Sequence, residues 1–165
     1  MVIGGPKSFC KYLMPKTQTV QASPTTWDDT MSTLHQWIPA FQSITEPRAL
    51  SFDSAVAVME ASSGGMPNLS PALLDCDGVF IEKAIGSFIR PPQQVIIIPD
   101  CAMVSRLPHR FPVSSLSKFI SDFDDPASHL GLFDGASDIL FAFDTADMIL
   151  VDHDERIWIT QANPH

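Results

Sequence analysis

The hydrophobic positions of the chain follow two different periods. Trp27, Met31, Leu34 and Ile38 recur at three- and four-residue spacing with Trp37 beside them, which is the stripe of a helix that buries one face. Ahead of that stripe, Ser23 and Pro24 supply a cap and a first-turn proline. Asp28 and Asp29 complement the free N–H groups, and Pro39 requires a stop. A core-facing helix ending before residue 39 is therefore expected. Residues 50–60 (LSFDSAVAVME) alternate imperfectly and are rich in Val and Ala, so a strand is expected over residues 55–60. A loop follows at residues 64–68, and Ser70 with Pro71 repeats the cap pattern of a short helix. Residues 79–89 suit either element: Ile81, Ile85, Phe88 and Ile89 fit a helix, whereas Val79, Phe80 and Ile81 fit a strand.

The second half is more definite. Residues 95–98 form an unbroken β-branched run and read as a buried strand. Residues 112–123 place Leu116, Phe119, Ile120 and Phe123 on one face of a helix. Residues 138–160 hold three apolar runs, ILFAF, MILV and IWIT, separated by short polar connections, the pattern of an antiparallel meander. Residues 1–22 alternate Lys7, Lys11 and Lys16 with Phe9, Tyr12 and Leu13 between Pro6 and Pro15, and read as an irregular N-terminal segment. Helices and strands mixed without regular alternation indicate an α+β fold with a C-terminal antiparallel meander packed against helices. At 165 residues and 45% hydrophobic content, one domain spanning residues 1–165 is expected.

Charge changes the picture in one place. Residues 122–155 contain ten acids and no Lys or Arg, while the remaining nine acids face ten bases, so all of the net charge of −9 comes from this stretch. A field this one-sided opposes nucleic acid and anionic membrane and attracts basic proteins. The acids lie in the connections around the last helix and the meander, where Asp134, Asp138, Asp144, Asp147, Asp152, Asp154 and Glu155 are the candidate partner-binding residues. Three widely spaced cysteines, Cys10, Cys76 and Cys101, argue for a reduced compartment. Residues 1–7 show no basic segment followed by an apolar run, and the apolar runs are too short to span a bilayer. A cytoplasmic protein is the expectation, and the composition fixes no oligomeric state.

Candidate chemistry is sparse. Asp152, His153, Asp154 and Glu155 could bind a cation or work as an acid-base group, but adjacent strand residues point to opposite faces, which favours a solvated hairpin turn. His153 to Glu155 matches half of a zinc deaminase signature whose Pro-Cys-x-x-Cys half is missing. Asp122, Asp124 and Asp125 open like a calcium loop, yet Ala127 and Phe133 stand where its glycine and glutamate belong. His109, with Arg106 and Arg110, makes a small basic spot on an expected surface loop. Trp27, Trp37 and Trp158 read as core packing in preference to a stacking platform. No nucleophile elbow, phosphate loop or dinucleotide fingerprint occurs. Neither a catalytic residue, a cofactor nor a metal is expected.

Residues 143–160 (FDTADMILVDHDERIWIT) resemble small bacterial immunity-type proteins of toxin-immunity systems. In those proteins an aspartate-bearing loop leads into an apolar strand, then Asp-His and a reverse turn into the last strand. The resemblance implies a non-enzymatic intracellular protein that binds and neutralises a toxin or effector, one whose basic surface the acidic stretch would attract. Two other classes fit the same sequence: an acidic secretion chaperone for an effector, and a small metal-dependent hydrolase centred on His153.

Overall fold

An antiparallel sheet of six strands, in the order β1-β6-β5-β4-β2-β3, organises the chain. The computed structural model describes residues 25–71, 78–99, 107–123, 131–133 and 138–163. The strands are β1 (Asn68–Leu69), β2 (Gln94–Ile98), β3 (His109–Pro112), β4 (Ile139–Phe143), β5 (Met148–Val151) and β6 (Ile157–Thr160). The expected meander is β4, β5 and β6, paired in register from Ile139 opposite Val151 to Met148 opposite Thr160. The fold is α+β.

Both faces of the sheet are covered, which explains why its strands read as unbroken apolar runs. Val95, Ile97, Ile139, Phe141, Phe143 and Ile149 face one core with α3 (Val79–Gly86) and α4 (Leu116–Asp122). Ile96, Ile98, Leu140, Ala142, Met148 and Leu150 face the other with α1 (Trp27–Trp37) and α2 (Phe52–Ser63). Alternation in side-chain direction is obeyed, but both directions lead into apolar surroundings. β5 and β4, at the centre of the sheet, are fully buried, and β2 beside them nearly so.

Four expectations are corrected at the level of elements, and the alternative left open for residues 79–89 is decided. Residues 55–60 are helical: Phe52, Ala55, Val56 and Met59 follow helical spacing, Ser51 and Ser54 close a capping box, and Gly64 ends α2 in the left-handed region at φ 74°. Those start and stop signals outweigh the local Val content. The ambiguous segment is a helix over α3, begun at Gly78. α1 starts at Trp27 with Thr26 as N-cap, accepting from the Asp29 N–H at 3.2 Å, and Ser23 and Pro24 lie outside the described residues. The expected helix over residues 112–123 is a 3-10 turn (Val113–Ser115) followed by α4, because Pro112 is used as the last residue of β3. The expected loop at residues 64–68 yields its last residue to β1, which pairs Asn68 with Ile159 and Leu69 with Trp158.

The surface loop expected around His109 is the strand β3. It forms a sheet edge instead, with His109 opposite Ile97 and its ring 5.0 Å from that of Phe119. Pro108 and Pro112 bracket this edge, and Pro112 has no N–H to offer a further strand, a usual guard against pairing between molecules. Arg110 turns to the other face and lies over the Trp37 ring at 5.2 Å. Trp27, Trp37 and Trp158 all pack against the second core. Among the described residues, no helix is long and apolar enough to cross a membrane. The three cysteines, Arg106, Asp124, Asp125 and Asp134 lie outside the described residues, as do residues 1–22 and most of the short helix expected after Ser70.

Candidate functional site at the hairpin tip

The two turns of the meander share one design. In the first, the Phe143 N–H donates to the Asp147 carbonyl and the Ala146 N–H to the Phe143 carbonyl, both at 3.0 Å. In the second, the Asp152 N–H donates to the Arg156 carbonyl and the Glu155 N–H to the Asp152 carbonyl, both at 2.9 Å. Each is a three-residue loop whose last residue is left-handed, Ala146 at φ 69° and Glu155 at φ 62°. Neither is glycine, so both turns carry strain of about 1 kcal/mol. Ala146→Gly is accordingly expected to raise stability by about 0.5 to 1 kcal/mol in urea unfolding, the relief exceeding the added freedom of the unfolded chain.

These turns lie at opposite ends of β5, so the acids do not form one surface. Asp147 and Asp152 are five residues apart along a strand, about 17 Å at the usual rise. At the first end, Asp144 Oδ1 accepts from the Gln93 N–H at 3.0 Å and fastens the start of β2. Asp147 is 4% exposed. Its Oδ1 accepts from the Ala162 N–H at 2.9 Å and its Oδ2 from the Thr145 hydroxyl, which fixes the chain after β6. These two carboxylates hold segments of the protein together.

The other end gathers Asp138, Asp152, His153, Asp154, Glu155 and Arg156. Asp152 is the internal frame: its side chain is wholly buried and every acceptor position is used. Oδ1 accepts from the Asp154 and Arg156 N–H groups at 2.9 Å, and Oδ2 from Arg156 Nε at 2.7 Å and Trp158 Nε1 at 2.9 Å. Burial pushes the Asp152 carboxyl up, but the bonds from Trp158, Arg156 and Asp154 outweigh it and hold the carboxyl below its ordinary range. The Arg156 guanidinium also reaches Asp154 at 3.2 Å and lies over the Trp158 ring at 5.7 Å.

His153 occupies the rim of the tip. Asp138 Oδ1 accepts from both its backbone N–H and its ring Nδ1 at 2.9 Å. The ring meets Phe52 of α2 edge-on, with centroids 6.1 Å apart, and its Nε2 lies 4.0 Å from Asp154 Oδ2. The hydrogen bond to Asp138, then the charges of Asp138, Asp154 and Asp152, raise the imidazole above its usual value against a small opposing effect of burial.

Of the sequence-predicted contact residues, the second turn keeps Asp154 and Glu155 exposed at its tip with Asp138 partly covered beside them. Asp147 and Asp152 are buried, and Asp144 is tied to β2. The sequence assigns Trp158 to the core and gives neither it, Arg156 nor Phe52 a role at this tip. The one advance signal is an aspartate at the head of a turn, where a carboxylate commonly bonds to N–H groups just ahead. Asp122, the first residue of the calcium-like stretch, closes α4 and pairs with Lys118. Among the described residues, no group of three or more His, Cys, Asp or Glu converges as metal ligands would. No protein-family model matches the chain, and comparison with curated proteins and with solved structures returns no match.

Proposed function

We propose that this chain is a non-enzymatic inhibitor of the immunity type, which binds a basic bacterial toxin or effector through the tip of the β5–β6 hairpin. The observation that carries this reading is the division of labour within the tip. Asp152, buried and bonded four times, fixes the loop from inside, while Asp154 and Glu155 stand exposed on it. Carboxylates presented on a preset loop bind a cationic surface without an ordering cost and speed its approach. The resemblance in residues 143–160 covers both turns of the meander with β5 and β6, and the net charge of −9 has the matching sign.

The test is co-expression with the product of the adjacent upstream gene, followed by association kinetics on the purified pair. Protection of growth and a stable complex are expected. The association rate is expected to fall steeply with salt, and Asp154→Asn with Glu155→Gln to slow it about tenfold at low ionic strength with less change in dissociation. An unchanged association rate in the double variant would remove the tip as the contact. Absence of both protection and complex would count against inhibition of that product.

A further inference from the structure

Two acids face each other where the register of the meander runs out. Ile139 opposes Val151 as the last pair of β4 and β5, so the next position sets Asp138 beside Asp152 on the side of α2. Like charges opposed across strands repel, and each needs a counter-charge. Arg156 supplies a permanent one to Asp152 through Nε at 2.7 Å. Asp138 receives His153, whose cation is conditional.

We propose that Asp138 and His153 form a pH-operated clasp, which ties the β5–β6 tip to the entry of β4 while the imidazole is protonated and slackens when it is not. The ring nitrogen and the backbone N–H of His153 converge on one oxygen of Asp138 across fifteen residues of sequence. The protonated ring makes a charge-assisted bond, roughly twice the strength of the neutral one. Deprotonation leaves only the backbone bond and one tautomer of the ring to hold it, while Arg156 stays on Asp152 and Asp154. Of the other charged groups near the ring, Asp154 at 4.0 Å from Nε2 and Asp152 favour the cation, while Arg156, bonded to the same Asp154 oxygen at 3.2 Å, is the one positive charge facing it and opposes the cation. The raised position of the His153 equilibrium agrees with this arrangement. A group whose folded value is raised contributes stability that is complete below the unfolded value of about 6.5 and is lost as pH climbs through the folded one. The clasp is a property of the chain alone and does not depend on whether the tip meets a partner.

The experiment is an NMR titration of the imidazole signals of the intact chain from about pH 5 to 9, with the His153 resonance assigned by its loss in His153→Gln, alongside thermal unfolding over the same range. The His153 midpoint is expected above 6.5, with Tm falling as pH rises through it. Asp138→Asn keeps an acceptor for the backbone N–H but removes the charge. It is expected to bring the midpoint back toward 6.5 and flatten the Tm profile there. A wild-type midpoint at or below 6.5 overturns the clasp, even if the Asp138 variant does not fold. So does a midpoint that Asp138→Asn leaves in place.

Discussion

Asp152→Ala is expected to destabilise the protein by about 3 to 5 kcal/mol in urea unfolding, the usual cost of stripping one partner from a buried ion pair. The loss is larger than that of one ion pair between exposed groups because four donors depend on this carboxylate. Two backbone N–H groups, the Arg156 guanidinium and the Trp158 indole would all be stranded together. Asp154→Ala, two residues away and exposed, removes the contacts with Arg156 at 3.2 Å and His153 at 4.0 Å, both at the surface, and is expected to cost less than about 1 kcal/mol. Asp152→Asn separates shape from charge. Its oxygen can still take the two backbone bonds, but its amide then meets Arg156 and Trp158 donor to donor, so an intermediate loss is expected. The pH dependence has a fixed sign. Because the folded value of Asp152 is depressed, its contribution is present above the unfolded value of about 4 and fades as pH falls through the folded one. Acid unfolding of the Asp152→Ala variant is therefore expected to show a shallower slope than that of the parent.

How far the sequence could be read depended on how strong its local signals were. The meander was legible because ILFAF, MILV and IWIT are short, apolar and separated by turns, and burial on both faces kept polar residues out of them. α1 was legible from its stripe, although Thr26 took the cap that Ser23 also offered. α2 was misread because Val56 and Val58 favour strand locally, while the deciding signals, Ser51 with Ser54 and Gly64, lie at the helix ends. β3 and β1 were missed because strands of four and two residues have too few positions to show a period. At the candidate site, charge counting treated Asp147, Asp152 and Asp154 as equals. Only the register and the packing of Trp158 separate two buried frame residues from one exposed at the tip. Sequence therefore shows where the acids stand along the chain but could not divide them into two ends, or into those that hold the fold and those that face solvent.

Gly78→Ala is expected to cost about 2 to 5 kcal/mol, by thermal or urea unfolding, through two effects that can be measured apart. Gly78 begins α3 at φ 73°, a conformation that charges an alanine about 1 to 2 kcal/mol. A Cβ there would also stand 2.7 Å from Ile120 Cδ1 and 3.4 Å from its Cγ2. Ile120 is 4% exposed and belongs to the core that α3 and α4 share against the sheet, so it has little room to yield, and overpacking adds about 1 to 3 kcal/mol. Ile120→Val removes the offending Cδ1 at a cost of about 1 kcal/mol by itself. If the clash is real, the double variant is more stable than the sum of the single losses predicts, by about 1 kcal/mol or more of favourable coupling. If the two losses simply add, the backbone conformation alone makes glycine necessary at this position. The close approach of α3 to α4 would then owe nothing to the missing side chain.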